Sequence, residues 1–382
     1  MNQSKPSNGL FIVWVGLLSI AILIGLYAAF KLLTEGHHIF NANDVLIWSL
    51  PLGAYIYLAL TSSGLTILAS IPLVFGIKRY ELVTKRLLFL AIATLFGGFI
   101  SIGLELGNIF HIVYILFSPN ISSPIWWMGA IYSLELVVLI LKFQRVHAGD
   151  WSSTTSKTLG IIGFLCALIA PLMIGSIFGI TESRVTYFGP IMSVYCLSMA
   201  ILSGSALCLF YNLIHAQISG NEIADDKDSL FKELTRIFAS SLGAVIILTL
   251  IKFSFEGSTV MPEFLNYDKY AQAFGSIAGM NTEVILGLFL PFILISIPGL
   301  HYNNSTRILT SALVLVGTLA MHMEILLAGQ SRPVGPKAEQ FPEVVSYFPS
   351  IWEWFVFMLS IAVILLLFSL GERFLKLEAK SA

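Results

Sequence analysis

Ten long apolar stretches, separated by short polar segments, dominate the pattern of this sequence. Each reaches the length of about 20 residues that an α-helix needs to cross a bilayer. They are Leu10–Leu33, Val45–Phe75, Leu87–Ile109, Pro124–Phe143, Leu159–Ile180, Tyr187–Ile214, Phe231–Phe255, Asn281–Leu300, Ile308–Ala328 and Ile351–Phe374. The pattern predicts an all-α integral membrane protein with ten transmembrane helices, in one polytopic domain over residues 1–382.

The first two stretches differ from a simple membrane-spanning helix in length or in position. The second is too long for one straight span, and Pro51 and Pro72 near its ends are expected to mark where the helix starts and bends. The first has a longer apolar core than a signal peptide and no small-residue cleavage site after it, so it is expected to be retained.

Composition excludes several classes of protein. Of the 382 residues, 57% are hydrophobic and 11% are charged, and the formal net charge is −1. A soluble enzyme of this length has no interior large enough for so much apolar side chain, and nothing in the net charge would attract nucleic acid. Cys166, Cys196 and Cys208 lie in apolar runs without a CxxC motif, so we expect no disulfide framework, covalent haem or Cys-ligated cluster. A di-haem cytochrome b needs pairs of histidines on facing helices, and only His111 and His322 are expected at membrane depth, so no haem or metal is expected in this chain.

Lysine and arginine residues predict the orientation. Fifteen lie on the side of the N-terminus and five on the other, with Lys252 inside a span. The fifteen are Lys5, Lys78, Arg79, Lys85, Arg86, Lys142, Arg145, Lys157, Lys227, Lys232, Arg236, Arg307, Arg373, Lys376 and Lys380, and the five are Lys31, Arg184, Lys269, Arg332 and Lys337. The excess predicts that both termini are cytoplasmic.

Polar groups within the predicted spans form a one-sided layer. With this orientation they fall in the outer half of the membrane or at its outer edge, and the inner half is expected to be nearly free of them. They are Glu105, Asn108, His111, Trp126, Trp127, Tyr132, Glu135, Lys252, Glu256, Glu283, His322, Glu324 and Glu353, joined by His37, His38, Asn41 and Asp44 of the first outer loop. Ionisable groups inside a membrane are costly, so each one is a functional hypothesis. The layer argues against a simple channel, which needs polar lining through both halves.

Several of these residues also have a purely structural interpretation. Lys252 and Glu256, four residues apart, are expected on one helix face, where they would neutralise each other. Trp126 and Trp127 suit interfacial anchors, and Glu353 suits a helix cap. Glu105 and Glu135 are the hardest to explain in this way, because a carboxylate in a span must be protonated, hydrogen-bonded or hydrated. Asn108, expected on the helix face of Glu105, and Tyr132 are the predicted partners.

The composition of this layer suits a quinone head group. A quinone needs hydrogen bonds to its two oxygens and a route for two protons, which histidine, tyrosine and carboxylates can supply. Glu105 and Glu135 are the candidates for proton transfer, and His111, Tyr132, Trp127, Asn108, His37 and Asp44 are the candidates for head-group binding. Lys252, Glu256, Glu283, His322 and Glu324 are further candidates. A secondary transporter of a small solute or ion could use the same residues and stays an alternative.

Four segments, in this order, resemble the NrfD/PsrC family, the membrane subunits of polysulfide-reductase-like complexes. They are Asn43–Pro51 with Ser62–Leu65; Gly97–Gly98 with Leu104–Gly107; Ser123–Gly129 with Tyr132 and Glu135; and Gly329–Gln330 with Tyr347–Ser350 and Glu353. With ten spans, the chain is most similar to the branch that includes DsrP, HmcC and the uptake-hydrogenase membrane anchor HybB. Asn108 and His322 stand where the family often has a basic residue.

The resemblance implies a fold of two four-helix bundles, helices two to five and six to nine, plus one flanking helix at each end. It implies a quinone- or quinol-reactive subunit, not catalytic alone, in the cytoplasmic membrane of a bacterium or archaeon. The quinone, menaquinone or ubiquinone, would be an exchangeable substrate. The expected partners are an outer-face four-cluster-type iron–sulfur subunit and a catalytic subunit of a respiratory complex, with electron transfer coupled to proton transfer. Glu105, His111 and Tyr132 match the region where the family binds quinone.

Overall fold

The protein is described from a computed structural model that covers residues 8–184, 187–218, 225–264, 276–277, 280–331, 333–340, 345, 347–375 and 377. Ten main helices follow one another along the chain: α1 (Asn8–Glu35), α2 (Leu50–Phe75), α3 (Glu81–Glu105), α4 (Pro124–His147), α5 (Thr154–Gly179), α6 (Ile191–Ile218), α7 (Asp225–Phe264), α8 (Thr282–Ser296), α9 (Asn304–Gln330) and α10 (Ile351–Phe374).

Short elements occupy some of the connections. Three 3₁₀ turns span His37–Ile39, Lys78–Tyr80 and Ile109–Val113, and two short α-helices span Tyr114–Phe117 and Lys337–Gln340. The two-residue strands Ser276–Ile277 and Met280–Asn281 pair antiparallel before α8.

Within the described ranges, nine helices are long and apolar enough to cross a membrane, and the prediction of an all-α multi-pass membrane protein is confirmed. The eighth predicted span differs. It consists of helical Thr282–Val284, a π-helical segment at Ile285–Phe289 and α-helical Leu290–Ser296. This composite helix is shorter than the other nine.

Proline residues set the bounds of α2. Pro51 lies in the first turn, where its missing N–H costs no helical hydrogen bond, and Pro72 lies in the last turn. Gly76 follows with a φ of 71°, a left-handed conformation that suits glycine, and its N–H donates to the carbonyl of Pro72. The helix begins at Leu50, beside Pro51, as the proline predicts, and the preceding residues Val45 to Ser49 of the apolar stretch are not helical.

The ten helices group into two closed bundles. In the first bundle, α2 contacts α3, α3 contacts α4, α4 contacts α5 and α5 contacts α2. In the second bundle, α6, α7, α8 and α9 contact one another in the same cyclic order. The remaining helices, α1 and α10, pack against each other, and α10 also packs on α3.

Glycine allows the two bundles to approach closely. A Cβ atom built on Gly64 of α2 would lie 1.8 Å from the carbonyl oxygen of Ala200 in α6, and one built on Gly204 would lie 2.4 Å from the carbonyl carbon of Gly64. Any larger side chain would push the helices apart, as at the small-residue contacts common between membrane helices.

A buried ion pair joins α10 to both bundles. The guanidinium of Arg86 in α3 contacts the carboxylate of Glu372 in α10 at 2.5 and 3.2 Å, and it donates to the side-chain oxygen of Asn212 in α6 at 3.3 Å. The pair lies at the N-terminal face of the membrane domain. We call the opposite face, which carries residues 36–49, 106–123, 180–184, 187–190, 331, 333–340 and 347–350, the outer face, after the orientation that the lysine and arginine residues predict.

Candidate functional site

The carboxylate of Glu105 lies at the outer end of α3 and is half-buried. It accepts hydrogen bonds from the backbone N–H and the hydroxyl of Ser49, both at 2.7 Å. His37 Nε2 lies 2.8 Å from the backbone carbonyl of Glu105. Ser49 immediately precedes α2, so this contact joins the first outer loop to the outer ends of α2 and α3.

A second carboxylate, Glu353, approaches the same loop from α10. It forms a capping box with Ser350, which confirms its interpretation as a helix cap. The same carboxylate accepts from the backbone N–H of Asn41 at 3.2 Å, so it also holds the first outer loop.

Tyr347 lies between the two carboxylates. Its phenol oxygen accepts from the backbone N–H of Leu50 at 2.8 Å. Burial, and then the nearby charges of Glu353 and Glu105, raise the pKa of Tyr347 above its ordinary value, so the phenol keeps its proton at neutral pH.

Gln330 fixes the extended segment before α2. Its side-chain oxygen accepts from the backbone N–H of Trp48 at 2.9 Å, and its amide nitrogen donates to the Trp48 carbonyl at 3.2 Å. Arg184 donates to the carbonyls of Gly329 and Gln330 at 2.7 and 3.1 Å. The segment around Glu105 is therefore held by α3, α9 and α10 together. We call Glu105, Ser49, His37, Tyr347 and Glu353 the outer cluster.

The prediction that Asn108 shares a helix face with Glu105 is wrong. Helix α3 ends at Glu105, and Asn108 instead caps the turn Ile109–Val113, accepting from the backbone N–H of Phe110 at 3.0 Å. Asn108 and His111 are both exposed on the outer loop, with Asn108 Nδ2 3.3 Å from His111 Nε2. The partner of Glu105 is Ser49.

The two tryptophans at the start of α4 hold this loop in place. Trp126 Nε1 donates to the carbonyl of Ile115 at 2.7 Å, and Trp127 Nε1 donates to that of Ile121 at 2.8 Å. Trp127 is exposed. Asp44, in the first outer loop, is exposed as well.

Glu135 lies inside the first bundle, at the midpoint of α4, and is fully buried. Its carboxylate accepts from the hydroxyl of Ser63 in α2 at 3.2 Å. Tyr132, one turn earlier, is also fully buried and packs edge-on against Tyr55, with ring centroids 6.2 Å apart. In the described structure the Tyr132 hydroxyl has no hydrogen-bond partner, so Ser63 and not Tyr132 satisfies Glu135.

A row of hydroxyls continues from Glu135 toward the N-terminal face. Ser63, Thr66 and Ser70 recur at intervals of three and four residues and so share one face of α2. The Ser70 hydroxyl donates to the carbonyl of Thr66 at 2.7 Å and accepts from Lys142 Nζ at 2.9 Å. Lys142, two turns beyond Glu135 on α4, is fully buried.

Three cations that the sequence pattern places in the basic flanks of the spans are buried in the structure: Arg86, Lys142 and Arg307. The spacing of Lys142 seven residues after Glu135, opposite a hydroxyl-bearing face of α2, was the signal available in the sequence.

The structure places the remaining candidates in or beside the second bundle, away from the outer cluster. Glu283 and His322 are buried, and each has one side-chain atom without a partner among the described residues, Oε2 and Nε2 respectively. Lys252 Nζ lies 5.9 Å from the centre of the Tyr195 ring, and Glu324 is half-buried on α9. The side chain of Glu256 lies outside the described residues.

Comparison with known proteins decides the family. The sequence model of NrfD, polysulphide reductase, matches residues 37–334, which is more than half of the chain. The chain belongs to the NrfD polysulphide reductase family. The resemblance inferred from the four sequence segments is confirmed.

Three curated relatives of this NrfD protein are each 23% identical to it. A selenate reductase subunit of Mesobacillus selenatarsenatis aligns over 62% of this chain and 63% of its own length. The Hdr-like menaquinol oxidoreductase integral membrane subunit of Archaeoglobus fulgidus aligns over 88% and 86%. A putative dimethyl sulfoxide reductase membrane subunit of Halobacterium salinarum aligns over 84% and 77%. The chain thus spans less than two thirds of the first relative's length.

Proposed function

We propose that this chain is the quinone- or quinol-interacting membrane subunit of a respiratory oxidoreductase complex. Family membership and the Archaeoglobus relative, named for menaquinol oxidation, support this function. The observation that carries it is the half-buried carboxylate of Glu105, held by two hydrogen bonds from Ser49 where α2 and α3 meet the outer face.

The outer cluster supplies the chemistry that a quinol head group needs. A carboxylate accepts a hydrogen bond from a quinol hydroxyl and can take its proton, and an imidazole or phenol can donate to a quinone oxygen. Glu105 is the proposed proton acceptor, with His37 beside it. Asn108 and His111 lie on the neighbouring outer loop and Trp127 lies at the start of α4, and all three are proposed to contact the head group from that side.

We propose Glu135 as the second proton-transfer group. A rise of about 1.5 Å per residue places Ser63 roughly 21 Å along α2 from Ser49, with the buried pair Tyr55 and Tyr132 at an intermediate height. Ser63, Thr66 and Ser70 then lead from Glu135 to Lys142. A chain of several waters, beginning at the unpartnered Tyr132 hydroxyl, would be needed to connect the two levels.

Electrons are proposed to pass to an iron–sulfur subunit on the outer face, and from it to or from a catalytic subunit. Two of the relatives are named as subunits of reductases, which supports a multi-subunit complex. Large apolar side chains are exposed on the outer loops, among them Phe110 (75%), Phe117 (80%) and Phe348 (75%), and they suit contact with a partner protein. The proposed location is the cytoplasmic membrane of a bacterium or archaeon, with both termini cytoplasmic.

Glu105→Gln in the assembled complex tests this function. Loss of the proton acceptor is expected to lower quinol-linked turnover on the order of 10²-fold, while the complex still assembles. Glu182→Gln, which removes an exposed carboxylate on the same face, is the matched control and is expected to keep full turnover. Equal quinol-linked turnover in the two variants would show that Glu105 does not accept the proton.

A further inference from the structure

Three cations surround Tyr302 in the loop between α8 and α9, on the N-terminal face. Lys232 Nζ lies 5.8 Å and Arg307 Cζ 5.2 Å from the centre of its ring. Arg236 Nε donates to its hydroxyl at 3.4 Å. Lys232 and Arg236 share one side of α7, so the cluster lies where α7 meets the start of α9.

Positive charge exceeds negative charge in this cluster. Lys232 pairs with Asp228 at 2.7 Å, and Glu233 pairs with Arg79 at 2.5 Å. These pairs match two carboxylates to two cations. Arg236 and Arg307 form no further ion pair in the part of the chain that the structure describes, although Glu233 acts electrostatically on Arg236 and Asp228 on Arg307. Counted with Arg79, the cluster holds four cations and two carboxylates, an excess of two positive charges.

Arg307 is the more unusual of these two arginines, because it is fully buried. Its Nη1 donates to the side-chain oxygen of Asn304 at 3.1 Å, but among the described residues its Nε and Nη2 have no partner. A buried guanidinium with unmade hydrogen bonds is costly, and a nearby anion lowers that cost.

A groove of about 460 Å³ begins at this cluster and runs between α6 and α7. Glu233 and Arg236 lie at one end, and Ile201, Ile237 and Ala244 are among the residues that line the rest. Two serines in the lining are satisfied by their own helices: Ser198 donates to the Val194 carbonyl at 2.9 Å and Ser241 to that of Phe238 at 2.8 Å. The groove therefore offers an apolar wall that ends at Arg236 and at Glu233, whose carboxylate is paired with Arg79.

We propose that this groove binds one anionic phospholipid from the leaflet on the N-terminal side, with its phosphate at Arg236 and Lys232 and an acyl chain along the groove. Basic pockets between membrane helices at the cytoplasmic face bind anionic head groups in this way, and guanidinium is a strong hydrogen-bond donor to phosphate. Exposed Val194, Ile247 and Leu250 on the same two helices provide a lipid-facing surface around it. A quinone in this groove would leave the excess positive charge of the cluster without a counter-charge.

Lipid titration of the purified full chain, read by native mass spectrometry after delipidation in mild detergent, tests the proposal. Phosphatidylglycerol is expected to bind the wild type more tightly than phosphatidylcholine. Arg236→Gln or Lys232→Gln is expected to weaken phosphatidylglycerol binding about fivefold each, as for one cation at a membrane surface. Ala244→Leu, which narrows the groove at an exposed position, is expected to weaken it as well.

Arg145→Gln is the matched control, because it removes an exposed cation from the same face without touching the groove, and it is expected to change nothing. The melting temperature of each variant without lipid checks that it is folded. Equal binding of phosphatidylglycerol and phosphatidylcholine would overturn the proposal, as would identical binding by Arg236→Gln and Arg145→Gln. Full competition by millimolar inorganic phosphate, with no effect of Ala244→Leu, would overturn the lipid assignment and show an anion site without an acyl chain.

Discussion

The two bundles share an architecture but differ in how completely their buried charged groups are hydrogen-bonded. In the first bundle, Glu135 bonds Ser63, and Lys142 bonds Ser70, so the charged groups are linked to the hydroxyl face of α2. In the second bundle, Glu283, His322 and Arg307 each keep at least one side-chain atom without a partner in the described structure, whereas in the first bundle the described atom of this kind is the neutral Tyr132 hydroxyl.

This difference indicates which buried charge can move a proton. Ser63, Thr66 and Ser70 do not bond one another, because the hydroxyls of Thr66 and Ser70 donate to backbone carbonyls, so added waters would have to connect them. A polar face between two charged groups offers sites for such waters, whereas an isolated polar atom must first acquire a partner. We therefore expect the first bundle to carry the proton chemistry of the quinone site. The second bundle would serve packing and binding of other molecules.

The largest expected effect comes from separating the bundles. Gly204→Leu would place a side chain against the backbone of Gly64, and overpacking of this kind should destabilise the protein by about 3 kcal/mol. Thermal unfolding in detergent measures it. Gly299→Ala, at a position with no heavy atom within 4 Å of the added carbon, is the control; an equal melting temperature for the two variants would refute the close contact.

Exchange of a single carboxyl for an amide compares the bundles directly. Glu135→Gln is expected to lower quinol-linked turnover of the complex on the order of 10²-fold, because the amide cannot relay a proton. Glu283→Gln, its buried counterpart in the second bundle, is expected to stay within about twofold. The opposite ranking would assign the proton route to the second bundle.

Lys142→Met tests the inner end of the hydroxyl row. Removing the ammonium group that bonds Ser70 is expected to slow turnover about tenfold, the worth of a charge-assisted hydrogen bond. Lys157→Met, at an exposed position near the same face, provides the comparison. A pH-sensitive dye inside proteoliposomes would measure whether the substitution slows proton release during turnover. An unchanged rate of proton release would show that Lys142 has only a structural role.

Ser63→Ala is expected to have the smallest effect. The substitution removes the hydroxyl that donates a hydrogen bond to the Glu135 carboxylate. Turnover is expected to fall only about fivefold, because a water molecule can replace a single neutral donor. Ser205→Ala, a buried hydroxyl of α6 in the second bundle, should leave turnover unchanged. A loss for Ser205→Ala as large as that for Ser63→Ala would remove the distinction between the bundles.

Hydropathy alone predicted most of the fold, because a helix that crosses a bilayer needs a continuous apolar run. Hydropathy by itself would extend α2 back to Val45, because apolar Val45 and Leu46 are buried in a non-helical segment that Gln330 and Glu105 hold. The start of the helix is predicted by Pro51 instead. Hydropathy also did not predict the π-helical segment Ile285–Phe289, within which Gly287 packs closely against Gly317 of α9.

The site was only partly predictable. Glu105 and Glu135 could be predicted because carboxylates are rare inside spans. Their partners Ser49 and Ser63 could not, because serine is common in such helices and only the contacts between helices show which serines bond the carboxylates. Lys142 was misread as a flanking cation, since a lysine near the end of a span usually reaches the interface. Its burial follows from the face of α4 that meets α2, which a hydropathy pattern does not reveal.

Photo-crosslinking with a menaquinone analogue that carries a diazirine on its head group tests the central claim most directly. After irradiation of the purified chain in nanodiscs, mass spectrometry maps the labelled peptides. We predict labels within residues 37–49 and 105–114, competed by excess menaquinone and reduced in Glu105→Gln relative to Glu182→Gln. Labels confined to α6–α9, or labels that menaquinone does not compete, would contradict a quinone site at the outer cluster.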